Sequence, residues 1–231
     1  MEFKENYFNS GKEFNKKRGL YSLKEKLPIK SILKEKSDKH YSFLLLEKWK
    51  LFKDKNKILD VGCGRGQFIK LNPYKKEAFG LELIDSEVKR AKKEGLNVVK
   101  GDANKKIPFP ASSFDGIMCS HVLEHLSDPT KMFSEFKRVT RNGGIVVIAV
   151  PNFSFKSFFK DPTHKRPYPK EALYRVLSDH GFQDIKIVNG PFLNPALSAA
   201  LLFFPKVRHA AEKVLGKIKP WEYLAIARVE K

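Results

Sequence analysis

The sequence predicts an α/β protein built on an open, doubly wound parallel sheet. Three observations predict this fold. Predicted strands alternate with predicted helices from Lys57 to Val150, as in successive strand–helix–strand units. The region opens with a strand, a glycine-rich loop and a helix at residues 57–68. It closes with Ile145–Val150, a continuous apolar run typical of a strand that is buried on both faces.

The composition favours one sizeable domain with an appendage, because the chain has 231 residues and is 42% hydrophobic. Its two cysteines, Cys63 and Cys119, have no partner at a spacing typical of zinc sites. The N-terminus lacks the apolar core of a signal peptide, and no apolar run approaches the roughly 20 residues of a membrane span. We therefore expect a cytoplasmic protein, either free or peripheral at the inner face of the membrane.

The formal net charge of +19 restricts the partners. Such a charge suits RNA, an anionic membrane surface or an anionic glycan. A lysine-rich composition spread over solvated faces explains the charge equally well, because the lysines occur along the whole chain. Both interpretations stay open.

A glycine loop, Gly62-Cys63-Gly64-Arg65-Gly66, is the first candidate binding element. It follows a predicted buried strand that has Asp60 near its end. Glycines at alternate positions leave no Cβ between backbone and ligand, and a helix can begin at about Gly66 with free N–H groups pointing outward. Because position 67 is Gln, the spacing differs from the G-x-G-x-x-G of dinucleotide-binding loops. The pattern predicts a small-molecule site.

Carboxylates follow the next two predicted strands. The strand Ala78–Glu82 ends in Glu82, which can accept hydrogen bonds from both ribose hydroxyls of an adenosine. Leu83 follows and is placed to pack on an adenine face. A strand predicted at residues 96–100 leads to Asp102, which can accept a hydrogen bond from the adenine amino group. Because parallel strands end at one sheet edge, these residues predict an adenosine-containing ligand.

The G-x-G-x-G loop after Asp60, together with Glu82 and Asp102, resembles the motifs of class I S-adenosylmethionine (SAM)-dependent methyltransferases over Lys57 to Val150. The resemblance implies SAM as cofactor and a Rossmann-like doubly wound seven-stranded sheet with an antiparallel last strand. Predicted strands at residues 182–188 and 222–229 would be the sixth and seventh. The expected cofactor-binding residues are Asp60, Gly62, Cys63, Gly64, Gly66, Gln67, Glu82, Leu83, Asp102, Ala103 and Ser120.

Two helical segments accompany the methyltransferase domain, which we place at residues 53–231. Residues 1–52 predict an N-terminal helical arm and cap helix, with Leu45, Trp49 and Phe52 on one face. By the family resemblance this helix covers the SAM pocket, and packing against the sheet explains it equally well. Residues 190–219 predict a helical insertion between the last two strands, first apolar and then basic and amphipathic. It either lies in a membrane interface or packs on the sheet.

Residues 151–169 predict an acceptor loop, because they follow a strand end and include four phenylalanines. Within the loop, Asp161-Pro162-Thr163-His164 is followed by Arg166-Pro167. This segment resembles one in methyltransferases that act on bacterial and archaeal surface glycans, including O-antigen chain-terminating enzymes. The resemblance implies a saccharide or glycan-linked acceptor.

Four residues are candidates for the chemistry. SAM carries an activated methyl group, so the enzyme mainly aligns an acceptor. A hydroxyl acceptor also needs a base, whereas a phosphate or carboxylate oxygen does not. We expect His164 to be the base or an acceptor ligand, with His125 and His121 as further candidates and Glu124 as a helper.

Residues 121–125 also match the H-x-x-E-H pattern of some zinc proteases, which requires a long helix, whereas this segment follows a strand directly. Ubiquinone-type O-methyltransferases carry an acidic-x-x-Glu-His group here that holds a divalent metal. Because His121 replaces the first acidic residue, we name no metal ligands, and whether a divalent metal is used stays open.

The sequence thus predicts a SAM-dependent O-methyltransferase acting on a saccharide or glycan-linked acceptor, at a membrane surface or away from one. Two alternatives stay open. One is an RNA hydroxyl methyltransferase, which the charge favours. The other is a non-catalytic SAM-binding subunit, although Asp60, Glu82 and Asp102 are all present. The methylated atom and the oligomeric state are open.

Overall fold

A seven-stranded sheet lies at the centre of the computed structural model, which describes residues 42, 44–153, 158–190 and 220–231. The strand order is β3-β2-β1-β4-β5-β7-β6. Strands β1 to β5 pair in parallel, and β7 runs antiparallel to both β5 and β6. The predicted doubly wound sheet with an antiparallel last strand is confirmed. The strands are β1 (Lys57–Val61), β2 (Glu77–Glu82), β3 (Val98–Lys100), β4 (Phe114–Ser120), β5 (Thr140–Pro151), β6 (Gln183–Asn189) and β7 (Glu222–Arg228).

Helices cover both faces of the sheet. One face packs against α1 to α3 and the other against α4 and α5. Neighbouring β1 residues show the alternation, because Ile58 belongs to the first core layer and Leu59 to the second. The helices are α1 (residues 44–49, continued by a 3₁₀ turn at Lys50–Phe52), α2 (Gln67–Lys70), α3 (Asp85–Lys93), α4 (Thr130–Val139) and α5 (Lys170–Asp179), with further 3₁₀ turns at Leu123–His125 and Phe158–Lys160.

Helix α1 packs through the face that the sequence predicts. Leu45, Trp49 and Phe52 are buried in the layer that also contains Ile58. The Trp49 ring stacks on Phe68 with 4.3 Å between centroids, and its Nε1–H donates a hydrogen bond to the Phe68 carbonyl at 2.7 Å. In residues 44–52, packing against the sheet therefore accounts for this apolar face.

The rest of the predicted arm (1–41 and 43) and residues 191–219 of the predicted insertion lie outside the described residues, as do positions 154–157 of the acceptor loop. Within the described part of the chain, no helix is both long enough and apolar enough to cross a membrane.

The start of β5 differs from the sequence prediction. The apolar run predicts a strand over Ile145–Val150, but α4 ends at Val139 and the strand already begins at Thr140. Thr140 pairs with Phe114 of β4, and the Gly143 N–H donates to the Val229 carbonyl at 2.8 Å. Pairing with distant segments therefore extends the strand backwards over residues that have no strand pattern of their own.

Candidate active site

The carboxyl ends of the parallel strands and the start of β7 meet at one edge of the sheet. Val61 pairs with Cys119 between β1 and β4, and Pro151 pairs with Glu222 between β5 and β7. Because β7 is antiparallel, its first residue lies where the parallel strands end. Ligands of open α/β sheets bind outside this edge. Glu222 was therefore missed by sequence reasoning, which considered only residues that follow strands.

The glycine loop has the backbone conformation that the sequence predicts. Gly62, Gly64 and Gly66 have φ values of 73°, 53° and 74°, in the left-handed region that favours glycine. A Cβ at Gly62 would overlap the Val122 side chain, whereas a Cβ at Gly64 would have no atom of the described residues within 4 Å. The Gly62 N–H donates to the Leu81 carbonyl at 2.8 Å, which ties the loop to the end of β2. Gly64 therefore borders open space at the binding edge.

Glu82 connects the glycine loop to the end of β2. Its side chain is buried, and its two carboxylate oxygens accept hydrogen bonds from the Gly64 and Ile84 N–H groups, both at 2.8 Å. A carboxylate offers about four lone-pair sites. Two of these remain for the ribose hydroxyls, so Glu82 can shape the loop and bind a nucleoside at the same time.

Two buried titratable side chains belong to the start of the loop and the strand before it, Cys63 and Asp60. Burial raises the pKa of Asp60 to about 7, partly opposed by the positive charge of Lys48 and reinforced by Glu82. Burial also raises the pKa of the Cys63 thiol, with further contributions from the Asp60 and Glu82 charges. The Cys63 thiol therefore stays protonated and serves as a packing residue. Of these two side chains, Asp60 is the one whose pKa lies near neutral pH.

The other predicted cofactor residues surround this edge. The Asp102 Oδ1 atom accepts a hydrogen bond from the Asn104 N–H at 2.9 Å, which orders the turn after β3. Asp102, Leu83, Ala103 and Ser120 are half-buried, and Gln67 is exposed at the start of α2. Two observations show that these residues fit SAM. The Glu82 carboxylate can still accept hydrogen bonds from a ribose, and no described residue fills the space next to Gly64.

A buried ion network lies at the same edge, beside Ser120. The Lys48 Nζ atom, from α1, lies 3.0 Å from each Glu222 carboxylate oxygen and donates to the Ser120 Oγ at 3.1 Å. Lys48 and Glu222 are 5% and 1% exposed, respectively, so each stabilises the other's charge away from water. The positive charge of Lys48 and contact with His121 lower the pKa of Glu222 despite its burial. Helix α1 thus contributes to the site through Lys48.

His121 lies between two carboxylates. Its Nε2 atom is 2.9 Å from Glu222 Oε2, and its Nδ1 atom is 3.4 Å from Glu124 Oε1. Burial would lower the pKa of His121, but the interactions with Glu124 and Glu222 outweigh it and raise the pKa to about 9. The imidazolium form at neutral pH donates hydrogen bonds and does not accept a proton. The left-handed backbone of His121, with φ of 55°, turns the chain away from the end of β4.

The acceptor loop folds back onto the turn at Leu123–His125. The Lys165 N–H donates to the Glu124 carbonyl at 2.7 Å, and Asp161 Oδ1 accepts hydrogen bonds from the Thr163 N–H and hydroxyl at 2.9 and 2.6 Å. These bonds lower the pKa of Asp161 against the opposing effect of burial. The Asp-Pro-Thr-His segment therefore forms a closed turn that projects His164.

The loop brings His164 next to His125. The two rings have centroids 4.8 Å apart at an angle of 61°. His125 Nδ1 lies 2.9 Å from Thr163 Oγ1 and 3.2 Å from the Thr163 carbonyl, and His164 Nδ1 lies 2.8 Å from the Phe158 carbonyl. Since carbonyl oxygens only accept, these contacts assign a hydrogen to Nδ1 of each neutral ring. Each Nε2 then carries the lone pair.

Glu124 completes this group beneath the two rings. Glu124, His125 and His164 can each offer one ligand atom, and these atoms lie within 4.8 Å of one another. Glu124 is fully buried, and neither of its carboxylate oxygens has a hydrogen-bond partner among the described residues. The structure thus brings three of the four candidate catalytic residues into one cluster, with His121 in contact with its carboxylate.

The chain resembles known methyltransferases in sequence and in structure. A family model described as a methyltransferase domain matches residues 59–148. An uncharacterised protein of Methanocaldococcus jannaschii is 30% identical over 144 residues, which cover 57% of this chain and 67% of that protein. The chloroplastic 2-methyl-6-phytyl-1,4-hydroquinone methyltransferase 1 of Oryza sativa subsp. japonica is 30% identical over 62% of this chain but only 46% of its own length. The crystal structure of a SAM-dependent methyltransferase from Archaeoglobus fulgidus is 29% identical, with a TM-score of 0.64, and the match covers 82% of this chain and 93% of that one.

The family-model match contains the glycine loop and the strand-end carboxylates, which are the residues that fit SAM. The sheet order, with its reversed last strand, agrees with the predicted methyltransferase fold. The chain therefore belongs to the class I SAM-dependent methyltransferases, and SAM is its cofactor.

Proposed function

We propose that this enzyme methylates a hydroxyl oxygen of a saccharide or glycan-linked acceptor. The observation that carries the proposal is the pair His125 and His164, whose Nδ1 atoms are held by the Thr163 and Phe158 carbonyls. The lone pair on Nε2 suits these rings to receive a proton or to hold the acceptor. A phosphate or carboxylate acceptor would not need this arrangement.

The two sides of the site have separate tasks. SAM, when bound, supplies a methyl group that its sulfonium activates. Glu82 and the glycine loop bind the cofactor on the β1–β2 side, while His164 takes the proton from the acceptor hydroxyl on the other. His121 uses its two ring nitrogens on Glu124 and Glu222, so its task is to hold these carboxylates in place beside the acceptor side.

The acceptor loop supports an acceptor with an apolar face. Phe158 is buried against the His164 ring, with 4.5 Å between centroids, and the adjacent Phe159 is 70% exposed. An exposed aromatic ring beside the cluster can pack on a sugar ring or on a lipid carrier. The resemblance of residues 161–167 to glycan-acting methyltransferases favours the saccharide.

A transfer experiment tests the acceptor class. The full chain is incubated with tritiated SAM and either a glycolipid fraction or total RNA, and the labelled products are digested with glycosidase or RNase. We expect glycosidase-sensitive label. RNase-sensitive label would replace the proposal with RNA hydroxyl methylation, which the charge of +19 favours. SAM binding without label in either fraction would favour a non-catalytic subunit.

Replacement of His164 tests the catalytic assignment. His164→Ala should lower turnover by roughly 10²–10⁴-fold, the typical contribution of a general base. SAM affinity should stay within about threefold, because the cofactor residues lie on other strands. A loss confined to acceptor KM would indicate an acceptor ligand for a phosphate or carboxylate. Wild-type turnover and KM would make His164 structural, and His125 would be the next candidate.

We also propose that the enzyme acts in the cytoplasm, peripheral to an anionic membrane face. The support is the sequence pattern at residues 196–219, which lie outside the described residues: an apolar run and then a basic amphipathic stretch. Each lysine near an anionic surface contributes about 1 kcal/mol. Replacement of Lys213, Lys217 and Lys219 with Glu should reduce co-sedimentation with anionic vesicles at low salt. Equal sedimentation of the variant and the wild type would contradict this proposal.

A further inference from the structure

We infer that Glu124, His125 and His164 form a binding site for a divalent transition-metal ion on the acceptor side of the active site. The ligand atoms that the three side chains can offer lie within 4.8 Å of one another. The set combines residues from the turn after β4 with a residue of the acceptor loop, which the folded chain brings together. With an ion bound, the His164 Nε2 atom is a metal ligand and does not accept the proton of the acceptor. Binding rests on the geometry of this cluster alone, whereas a role of the ion in catalysis rests on the proposed function.

The first argument is the state of Glu124. Its side chain is 0% exposed, and both carboxylate oxygens lack a hydrogen-bond partner among the described residues. A buried carboxylate without hydrogen bonds is strongly disfavoured unless a cation compensates it. The His121 Nδ1 atom at 3.4 Å from Oε1 supplies part of that compensation, but it is also engaged with Glu222 through its other nitrogen. Glu124 therefore retains capacity for a second cation.

The second argument is the orientation of the two imidazole rings. In metal sites, a ligating histidine usually donates its other ring N–H to a carbonyl or carboxylate, which fixes the tautomer. His125 and His164 both show this arrangement, through Nδ1 to the Thr163 and Phe158 carbonyls. Asp161 adds negative charge to the same place, with Oδ2 at 3.8 Å from His164 Nε2. The supporting contacts of a metal site are thus already formed.

The ligand set indicates the class of ion. Two imidazole nitrogens and one carboxylate suit zinc, cobalt, manganese or iron in the divalent state, and suit magnesium and calcium poorly. Ligand bonds of about 2.1 Å in tetrahedral geometry separate ligand atoms by roughly 3.4 Å. The cluster therefore closes around an ion by side-chain movements on the order of 1 Å. Three protein ligands leave a position for an acceptor hydroxyl, which is typical of catalytic sites.

In the proposed site, the third metal ligand does not come from position 121. The pattern of residues 121–125 alone named no metal ligands, because His121 stands where an acidic ligand was expected. In the folded chain His121 pairs with Glu222, and His164 from the loop joins Glu124 and His125 instead. The third ligand therefore comes from the segment that also forms the acceptor wall.

Direct titration tests the inference. The full chain is treated with a chelator, exchanged into metal-free buffer and titrated with Zn²⁺ against a chromophoric chelator, and Co²⁺ binding is followed by its visible absorption. We expect one ion per chain. His164→Ala and Glu124→Gln should each weaken this binding at least tenfold, since changes to the outer-shell partners of metal ligands alone weaken it by about 10–100-fold. His180→Ala is the matched control, because His180 contacts Thr130 and Phe133, outside the cluster, and should bind within twofold of wild type.

Circular dichroism on each variant distinguishes a loss of binding from a loss of folding. If the buried change Glu124→Gln prevents folding, His164→Ala still tests the site, because His164 is a half-buried loop residue. Absence of stoichiometric binding, or equal binding by His164→Ala and the wild type, would overturn the inference. Metal binding without methylation of any glycan acceptor would instead overturn the proposed function and leave the metal site in place. Glycan methylation without metal binding would overturn the metal site and leave the proposed function in place.

Discussion

Glu82 offers the sharpest test of the cofactor site, because the structure gives it two roles. Its carboxylate accepts hydrogen bonds from the N–H groups of Gly64 and Ile84, both at 2.8 Å, and keeps lone pairs that can accept from the expected ribose. Glu82→Gln keeps the size of the side chain but leaves one oxygen and one NH₂ group. One of the two backbone N–H groups would then lose its acceptor and meet another donor.

The expected loss follows from the number of contacts. A hydrogen bond to a charged group contributes about 1.5–3 kcal/mol. In Glu82→Gln, the loop loses one of the two hydrogen bonds that hold it in the conformation that binds SAM. SAM affinity should therefore fall by roughly 10–100-fold, since about 1.4 kcal/mol corresponds to a factor of ten. The measurement is isothermal titration calorimetry with SAM and with S-adenosylhomocysteine. Both should weaken equally, because the two share the ribose.

Glu77→Gln is the matched control. Glu77 lies at the opposite end of the same strand, is 59% exposed and pairs with Lys57 at 2.9 Å. Exposed ion pairs contribute little, so this variant should bind SAM within twofold of the wild type. Wild-type affinity in Glu82→Gln would refute the assignment of Glu82 to both the loop and the ribose.

Three further changes test the surroundings of the site. Gly62→Ala should lower the melting temperature more than Gly64→Ala, because only its Cβ would overlap a neighbouring side chain; the reverse order would contradict the loop geometry. Burial raises the pKa of Asp60 to about 7 from its ordinary value of 3.8, so the contribution of Asp60 to stability is present below pH 4 and is lost as the pH rises through 7. Denaturant unfolding should therefore show a larger gain from Asp60→Asn at pH 8 than at pH 4, and an equal gain would argue against the shift. Lys48→Met should destabilise the fold by about 3–5 kcal/mol, because it removes a partner of the buried Glu222 charge; urea unfolding within 1 kcal/mol of wild type would show that the pair contributes little.

The cofactor side of the site was predictable because its geometry is local. An apolar run defines a strand, and parallel strands place their carboxyl ends at one edge, so Asp60 and Glu82 had to lie near the glycine loop. Glycines at alternate positions indicated the left-handed backbone found at Gly62 and Gly64. The start of β5 was not predictable in this way, because Thr140 becomes part of a strand only by pairing with β4.

The sequence by itself determined the fold and the cofactor and predicted which residues lie at the cofactor edge, whereas the tertiary structure decided how the acceptor side is assembled. Lys48 and Glu222 are 174 positions apart, and His125 and Thr163 are 38 apart, so no local pattern indicates that they meet. The charge of His121 is likewise a property of the folded chain. A histidine has an ordinary pKa of 6.5, and the approach of Glu124 and Glu222 raises it to about 9 against the opposing effect of burial. Local periodicity specifies where strands and loops occur, but burial and the neighbours of each charge exist only after distant segments have packed together.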